Sequence, residues 1–378
     1  MGFDWQMTAK PLPAPNEVEI TVIGPGFGEC IIAHTGSGRW VIVDSCRDPD
    51  THEPVALKYF QSLGIDPGQS VDWVVATHWH ADHISGLSET FSSCSAAKFC
   101  CAYMLSEQQF SVYIAQSKFA VDGDNAKEFR QILKEVRTRS GVPSFAAGGQ
   151  VLARRPAING LPEFRMEVLS PSNIEYQLFL QSIASRVKVK GMPYRALVAR
   201  DPNHAAIVLS LRWGPECVLL GADLLAHPSS DRGWLAAIAQ AGVMGTPPSD
   251  LVKIPHHGSE GAHCLDMWHK LASGKPVSAI TPYSRGRKAG RPPTATDLER
   301  ISALSSETIL TAPTESGRSR KQSSPISLGL SQHGIVMRTL KAGVGIARFR
   351  RTPGRPWEAE LFGRAKRIAP RKRGGRRK

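Results

Sequence analysis

No stretch of this 378-residue chain approaches the ~20 consecutive apolar residues that a membrane-spanning helix needs. The longest candidate, Cys217 to Ala226, is broken by Asp223. The opening residues MGFDWQMTAKPLPAP have neither a basic start nor an apolar core, so they do not read as a secretory signal. No CxxC pair occurs, and the seven cysteines are odd in number and scattered from Cys30 to Cys264. Reduced, buried or semi-buried thiols in a cytoplasmic protein are therefore expected. A dinucleotide fingerprint is also missing. Gly24, Gly26 and Gly28 have GxGxG spacing with no helix after them, which reads as turn chemistry. No Ser–His–Asp or Cys–His arrangement and no short internal repeat is evident.

What is present is a globular composition, 41% hydrophobic and 21% charged, which excludes overall disorder. The net charge is +14, and nine of the basic residues fall between Arg364 and Lys378. That stretch holds no acid, so residues 1–363 carry only +5.

Strands are predicted at Glu17–Ile23, Trp40–Val43, Val71–Thr77, Phe164–Leu169, Ala205–Trp213, Cys217–Gly221, Leu251–Ile254, Val277–Thr281, Ile335–Met337 and Gly345–Arg350. Helices are predicted at Glu53–Leu63, Ala126–Arg139, Ile174–Ser185 and Thr296–Leu304. In the second of these, Phe129, Ile132, Leu133 and Val136 share one face. The basic, Ser-rich segment Thr314–Pro325 reads as an exposed loop. Two strand-rich halves, each with helices, suit a layered α/β sandwich.

The densest chemistry is Thr77-His78-Trp79-His80-Ala81-Asp82-His83, directly after a buried-type strand. Three imidazoles and a carboxylate at a strand end can converge on one point. They are the ligand types that suit zinc, manganese or iron. The remaining histidines, among them His34 and His227, read as structural or surface residues, and Trp79 reads as packing or as a pocket wall.

HxHxDH after a strand resembles the metallo-β-lactamase superfamily. The likeness extends to Asp44 at the end of VIVD, to Gly221-Ala222-Asp223 after CVLL, and to Ile254-Pro255-His256-His257-Gly258-Ser259. The order NHAAIVLSLRW, ECVLLGAD, LVKIPHHGS resembles the metallo-hydrolase domain of ComEC-type DNA-uptake competence proteins. This resemblance implies a four-layer αβ/βα sandwich over residues 1–363, strongest at 17–285, with 364–378 as a basic disordered tail.

By the same resemblance, two divalent ions, zinc or manganese, are held. His78 and His80 ligate the first, Asp82 and His83 the second, and Asp223 bridges both. His257 completes the second site, with His256 as the alternative. His204 is the candidate third ligand of the first metal, or else a substrate-side histidine. Asp82 and Asp223 are the expected catalytic residues, acting with a metal-activated water. Asp44 is expected to orient a ligand histidine.

The expected function is a metal-dependent phosphodiesterase, a nuclease acting on DNA or RNA, with a role in nucleic-acid degradation or bacterial defence. Arg285, Arg287 and Lys288 form a cationic loop expected to bind substrate phosphates. The basic tail adds affinity for nucleic acid without base readout. The alternatives are a hydrolase of a small phosphodiester such as a cyclic nucleotide, a lactonase, and a non-catalytic nucleic-acid-binding protein. No membrane partner is expected, and oligomeric state is not legible.

Overall fold

β-Branched and aliphatic residues fill the first strands, which are buried on both faces. All seven residues of β1 (Val18–Gly24), all five of β2 (Cys30–His34) and all four of β3 (Trp40–Val43) are buried. In a computed structural model, residues 3–8, 11–102, 123–139, 141, 143–184, 201–283, 290–314 and 343–368 are described.

The chain continues through α1 (Val55–Leu63), α2 (Pro67–Ser70), β4 (Val71–Ala76), α3 (Ala81–Ile84), α4 (Leu87–Ser93) and β5 (Lys98–Ala102). Then come α5 (Gly123–Thr138), β6 (Ser144–Ala146), β7 (Val151–Arg155), β8 (Phe164–Ser170) and α6 (Asn173–Ala184). The second half holds β9 (Val208–Trp213), β10 (Glu216–Leu220), α7 (Gly233–Met244), β11 (Ser249–Lys253), α8 (Leu265–Leu271) and β12 (Ala272–Ile280). The described chain closes with α9 (Ala295–Leu304), β13 (Glu307–Leu310), β14 (Gly345–Arg351), β15 (Glu358–Gly363) and β16 (Lys366–Arg367).

Two eight-stranded sheets result, in the orders β15-β14-β1-β2-β3-β4-β5-β6 and β16-β13-β12-β11-β10-β9-β8-β7. Strands β3 to β6 run parallel in the first sheet, and β10 to β13 run parallel in the second. Alternating side chains divide the core into layers. Ile20, Val22, Val75, Leu209 and Leu220 pack between the sheets. Val74, Phe60, Phe91, Phe129 and Ile132 join the first sheet to its helices. Leu219, Trp234, Val252 and Trp268 do the same for the second. This is the αβ/βα sandwich expected from the sequence.

The connection between the first two expected strands contains a further strand, β2. The tail placed at Arg364 begins inside the fold. Lys366 and Arg367 pair antiparallel with Leu310 and Ile309 as β16. The expected strand Ile335–Met337, the loop Thr314–Pro325 beyond Thr314, and residues 369–378 of the tail lie outside the described residues. Among the described residues no helix is long and apolar enough to cross a membrane. All seven cysteines are free, and every one but Cys264 is buried.

Candidate metal centre

The carboxyl ends of the parallel strands of both sheets meet at one seam. This is the edge of an α/β sheet where ligands generally bind. β3 leads into Asp44, β4 into Thr77-His78, β10 into Gly221-Ala222-Asp223, β11 into Ile254 to His257, and β12 into Thr281. Asp44, Ala222, His256 and His257 all adopt positive φ, from 43° to 61°. Non-glycine residues held in this strained region cluster at functional sites. Backbone bonds fix the bends. Asp44 N–H donates to the Val75 carbonyl (2.8 Å), Ser45 N–H to His83 O (2.7 Å), and His256 N–H to Ala222 O (2.9 Å). Across the seam, Ile207 N–H donates to Thr77 O at 3.0 Å.

Six side chains converge here in two groups that share Asp223. His78, His80 and Asp223 form one, and Asp82, His83, Asp223 and His257 form the other, with potential ligand atoms within 4.8 Å of one another. Asp223 Oδ2 is the common point. It lies 3.8 Å from His78 Nε2, 3.4 Å from His83 Nε2 and 3.6 Å from His257 Nε2. Asp82 Oδ2 stands 3.2 Å from His257 Nε2 and 3.8 Å from His83 Nε2. All but His80 are buried.

The far nitrogens of these rings are anchored, which turns each Nε2 inward. His78 Nδ1 donates to Thr77 Oγ1 (3.0 Å), which donates to Asp44 Oδ2 (2.7 Å). His83 Nδ1 donates to Asp44 Oδ2 at 2.7 Å, and His257 Nδ1 to the Thr281 carbonyl at 2.8 Å. Imidazoles oriented by carboxylate or carbonyl acceptors are the usual arrangement around a metal.

The electrostatics point the same way. Burial disfavours the charged forms, but His83, His257 and His78 outweigh it at Asp223 and hold that carboxyl well below its ordinary range. Asp82 is likewise held down by His83 and His257 against its burial. Burial opposes a proton on His83, yet Asp223, Glu29, Asp44 and Asp82 raise its pKa well above the ordinary value. Burial, reinforced by His83, pushes His78 well below. Asp223 Oδ1 is buried without a hydrogen-bond partner among the described residues. Two ionised carboxylates, inward-facing imidazole nitrogens and an unused buried oxygen fit a divalent cation or a pair of them.

The other expected residues are placed differently. His256 stands outside both groups. Its Nδ1 donates to Ser259 Oγ (2.8 Å), and its Nε2 accepts from Asn203 Nδ2 (3.2 Å) and lies 4.0 Å from Asp223 Oδ2. His204 also stays outside both groups, with its ring centroid 6.2 Å from that of His227. The reason is local. Residues Pro202–Ala205 form a 3-10 turn capped by Asp201, which sends neighbouring side chains in different directions. It is Asn203, 3% exposed, that faces the seam side and meets His256. Arg285, Arg287 and Lys288 lie outside the described residues. Trp79 is buried in the layer between the first sheet and its helices.

Glu29, Lys253 and Thr281 were not legible as site residues. Glu29 and Thr281 sit alone in their segments, and Lys253, although three residues before His256, lies within a strand where a lysine carries no site signal.

Residues 23–103 match the model of the metallo-beta-lactamase superfamily, a stretch that spans Asp44 and the whole His78–His83 motif. That stretch of the chain is similar to the metallo-beta-lactamase superfamily. Among solved structures, the chain is similar to the metallo-beta-lactamase fold protein YhfI from Bacillus subtilis, with 13% identity over 78% of this chain and 95% of that one, and a TM-score of 0.38. It is similar to AidC, a dizinc quorum-quenching lactonase, with 13% identity, 57% and 67% of the two chains covered, and a TM-score of 0.30. A metallo-beta-lactamase from Pontibacter korlensis gives 11% identity, 60% and 77% coverage, and a TM-score of 0.28. A search of curated proteins finds no match. The match covers the first half of the seam and not Asp223 or His257, and the substrate has to be argued from the site.

Proposed function

We propose that this chain is a metal-dependent phosphodiesterase, a nuclease of the ComEC-type branch. The observation that carries the hydrolytic reading is the convergence of His78, His83 and His257, each held through Nδ1 with Nε2 turned inward, on Asp223 Oδ2, with His80 and Asp82 beside them. His78, His80 and Asp223 would hold one divalent ion, and Asp82, His83, Asp223 and His257 a second. Bound there, such ions supply Lewis acidity and lower the pKa of water towards ~7.

The chain's own groups do the rest. Asp44 and Thr77 lock His78 and His83 in one tautomer and one orientation. Ionised Asp82 faces the seam beside His257, placed to orient an attacking water. Asn203 and Ser259 hold His256 at the rim, where its exposure reaches 28% of the side chain.

The choice of a phosphodiester rests on charge. The net charge is +14. At the rim, the Arg291 guanidinium lies 5.0 Å over the Tyr283 ring, and that ring sits 5.3 Å from His257. A cation fixed beside the seam favours an anionic substrate, and the basic segments 285–291 and 364–378 extend that preference to a polyanion such as DNA or RNA.

Hydrolysis of bis(p-nitrophenyl) phosphate by metal-free protein refilled with Mn²⁺ or Zn²⁺ tests this. Activity is expected only with metal. It should fall by more than about 100-fold in Asp82→Ala, because even outer partners of metal ligands are worth 10–100-fold. Turnover of a homoserine lactone with none of the diester would overturn the phosphodiesterase reading. Equal activity in Asp82→Ala would overturn the assignment of the site.

A further inference from the structure

Glu29 is fully buried and immediately precedes β2. It reaches three members of the second group by three routes. Its backbone N–H donates to the Asp82 carbonyl at 2.9 Å. Its Oε1 stands 3.8 Å from His83 Nδ1. Its Oε2 accepts from Thr281 Oγ1 at 2.5 Å, and the Thr281 carbonyl in turn accepts from His257 Nδ1 at 2.8 Å. Gly28 permits the approach. It has φ +96°, and a Cβ there would meet Cys46 Cβ at 2.6 Å and the Asp82 carbonyl at 3.0 Å.

The remaining partner comes from the other sheet. Lys253, the last residue of β11 and 1% exposed, places Nζ 2.5 Å from Glu29 Oε2. Glu29, Asp44 and His83 form a third group of possible ligands. The Lys253 ammonium already gives that group a fixed cation. Desolvating two charges is costly, and their attraction often does no more than offset it. Stability alone is therefore a weak reason for a buried lysine next to the seam.

We propose that the Glu29–Lys253 pair is a positioning device for the second metal site. It holds the Asp82 backbone, His83 and, through Thr281, His257 in mutual register. It thereby sets the affinity of that site and leaves the site of His78 and His80 largely untouched. This deepens the metal reading above and rests on it. Neither residue is placed to touch substrate, so the effect acts through the ligands.

The test is a zinc titration of the full-length metal-free protein against a chromophoric chelator, which resolves stepwise affinities. The variants are Glu29→Gln, Lys253→Met, the double variant Glu29→Gln/Lys253→Met, and Thr281→Val. The double variant leaves no unpaired buried charge, so it keeps the measurement possible where a single variant fails to fold. Thr281→Val cuts one arm without changing any charge. Wild type is expected to bind two equivalents. The double variant should weaken one of them by about 10–100-fold and preserve the other, as loss of an outer partner does elsewhere. Thr281→Val should shift the same equivalent by less.

A folded double variant that binds both equivalents as wild type does overturns the inference while leaving the metal reading intact. Equal weakening of both equivalents also overturns it, because a purely structural role predicts no such split. Wild-type protein that takes up no zinc overturns the metal reading, and this inference with it.

Discussion

His34 has both ring nitrogens committed far from the seam. Its Nδ1–H donates to the Glu17 carbonyl at 2.8 Å, and its Nε2 accepts the Gly38 N–H at 3.0 Å. Only the neutral Nδ1–H tautomer satisfies both. Burial, with Arg155 and Arg350 adding repulsion against the favourable Glu17 carbonyl, lowers its pKa to about 4. In the unfolded chain an imidazole takes its proton near 6.5. Between those values the unfolded state binds the extra proton, so stability is full above ~6.5 and declines as the pH falls towards 4. At about 1.4 kcal/mol per pH unit, the loss at pH 5 is about 2 kcal/mol. Urea denaturation at pH 7.5 and pH 5 should show this difference shrinking by about that amount in His34→Gln. The site histidines titrate in both proteins and cancel in the comparison. An unchanged pH dependence in the variant would contradict the assignment of a neutral buried ring.

At the scale of elements, α4 starts at Gly86 in the left-handed region, with no side-chain cap of its own. The cap comes from α5, where the Glu128 carboxylate accepts from both Gly86 N–H and Ser88 N–H at 2.9 Å. A carboxylate at a helix N-terminus satisfies open donors and complements the dipole. Glu128→Ala should therefore cost about 1–2 kcal/mol in urea denaturation; a change within experimental error would show that water replaces the cap. The apolar face of α5 was legible because Phe129, Ile132 and Val136 repeat at helical spacing and are buried. α7 was not legible, because small and apolar residues occupy it all round, including Val243 at 83% exposure, and no polar face marks its period. β2 was hidden between glycine turns. β15 (EAELFG) lies at the edge of its sheet with polar residues, and carries too little apolar alternation to stand out.

At the scale of the molecule, most of the seam was readable because its residues sit in short motifs at strand ends. Asp44, residues 78–83, Asp223 and His257 are each local in sequence, and the fold brings them together. Distance in sequence is what hid the rest. Glu29 and Lys253 are 224 positions apart by their numbering, and only the packing of one sheet on the other pairs them. Asn203 and His204 are neighbours whose roles depend on the twist of a single turn. The seam thus joins the sheets through buried charge. Asp44, Asp82, Asp223 and Glu29 crowd around one imidazole and one ammonium. A divalent cation bound by residues from both sheets would tie them together and relieve that crowding, whereas the unfolded chain offers no such site. Binding to the native state alone stabilises it by RT ln(1 + [L]/Kd), about 2.7 kcal/mol for one site at 100 times Kd. Zinc added to the metal-free protein should therefore raise its melting temperature, and EDTA should return it to the starting value. Replacing Asp223 by Asn, which removes the charge shared by both groups, should abolish most of the rise. A melting temperature indifferent to zinc in the wild type would mean that the carboxylates are balanced by the histidines alone, and that the seam is not a metal centre.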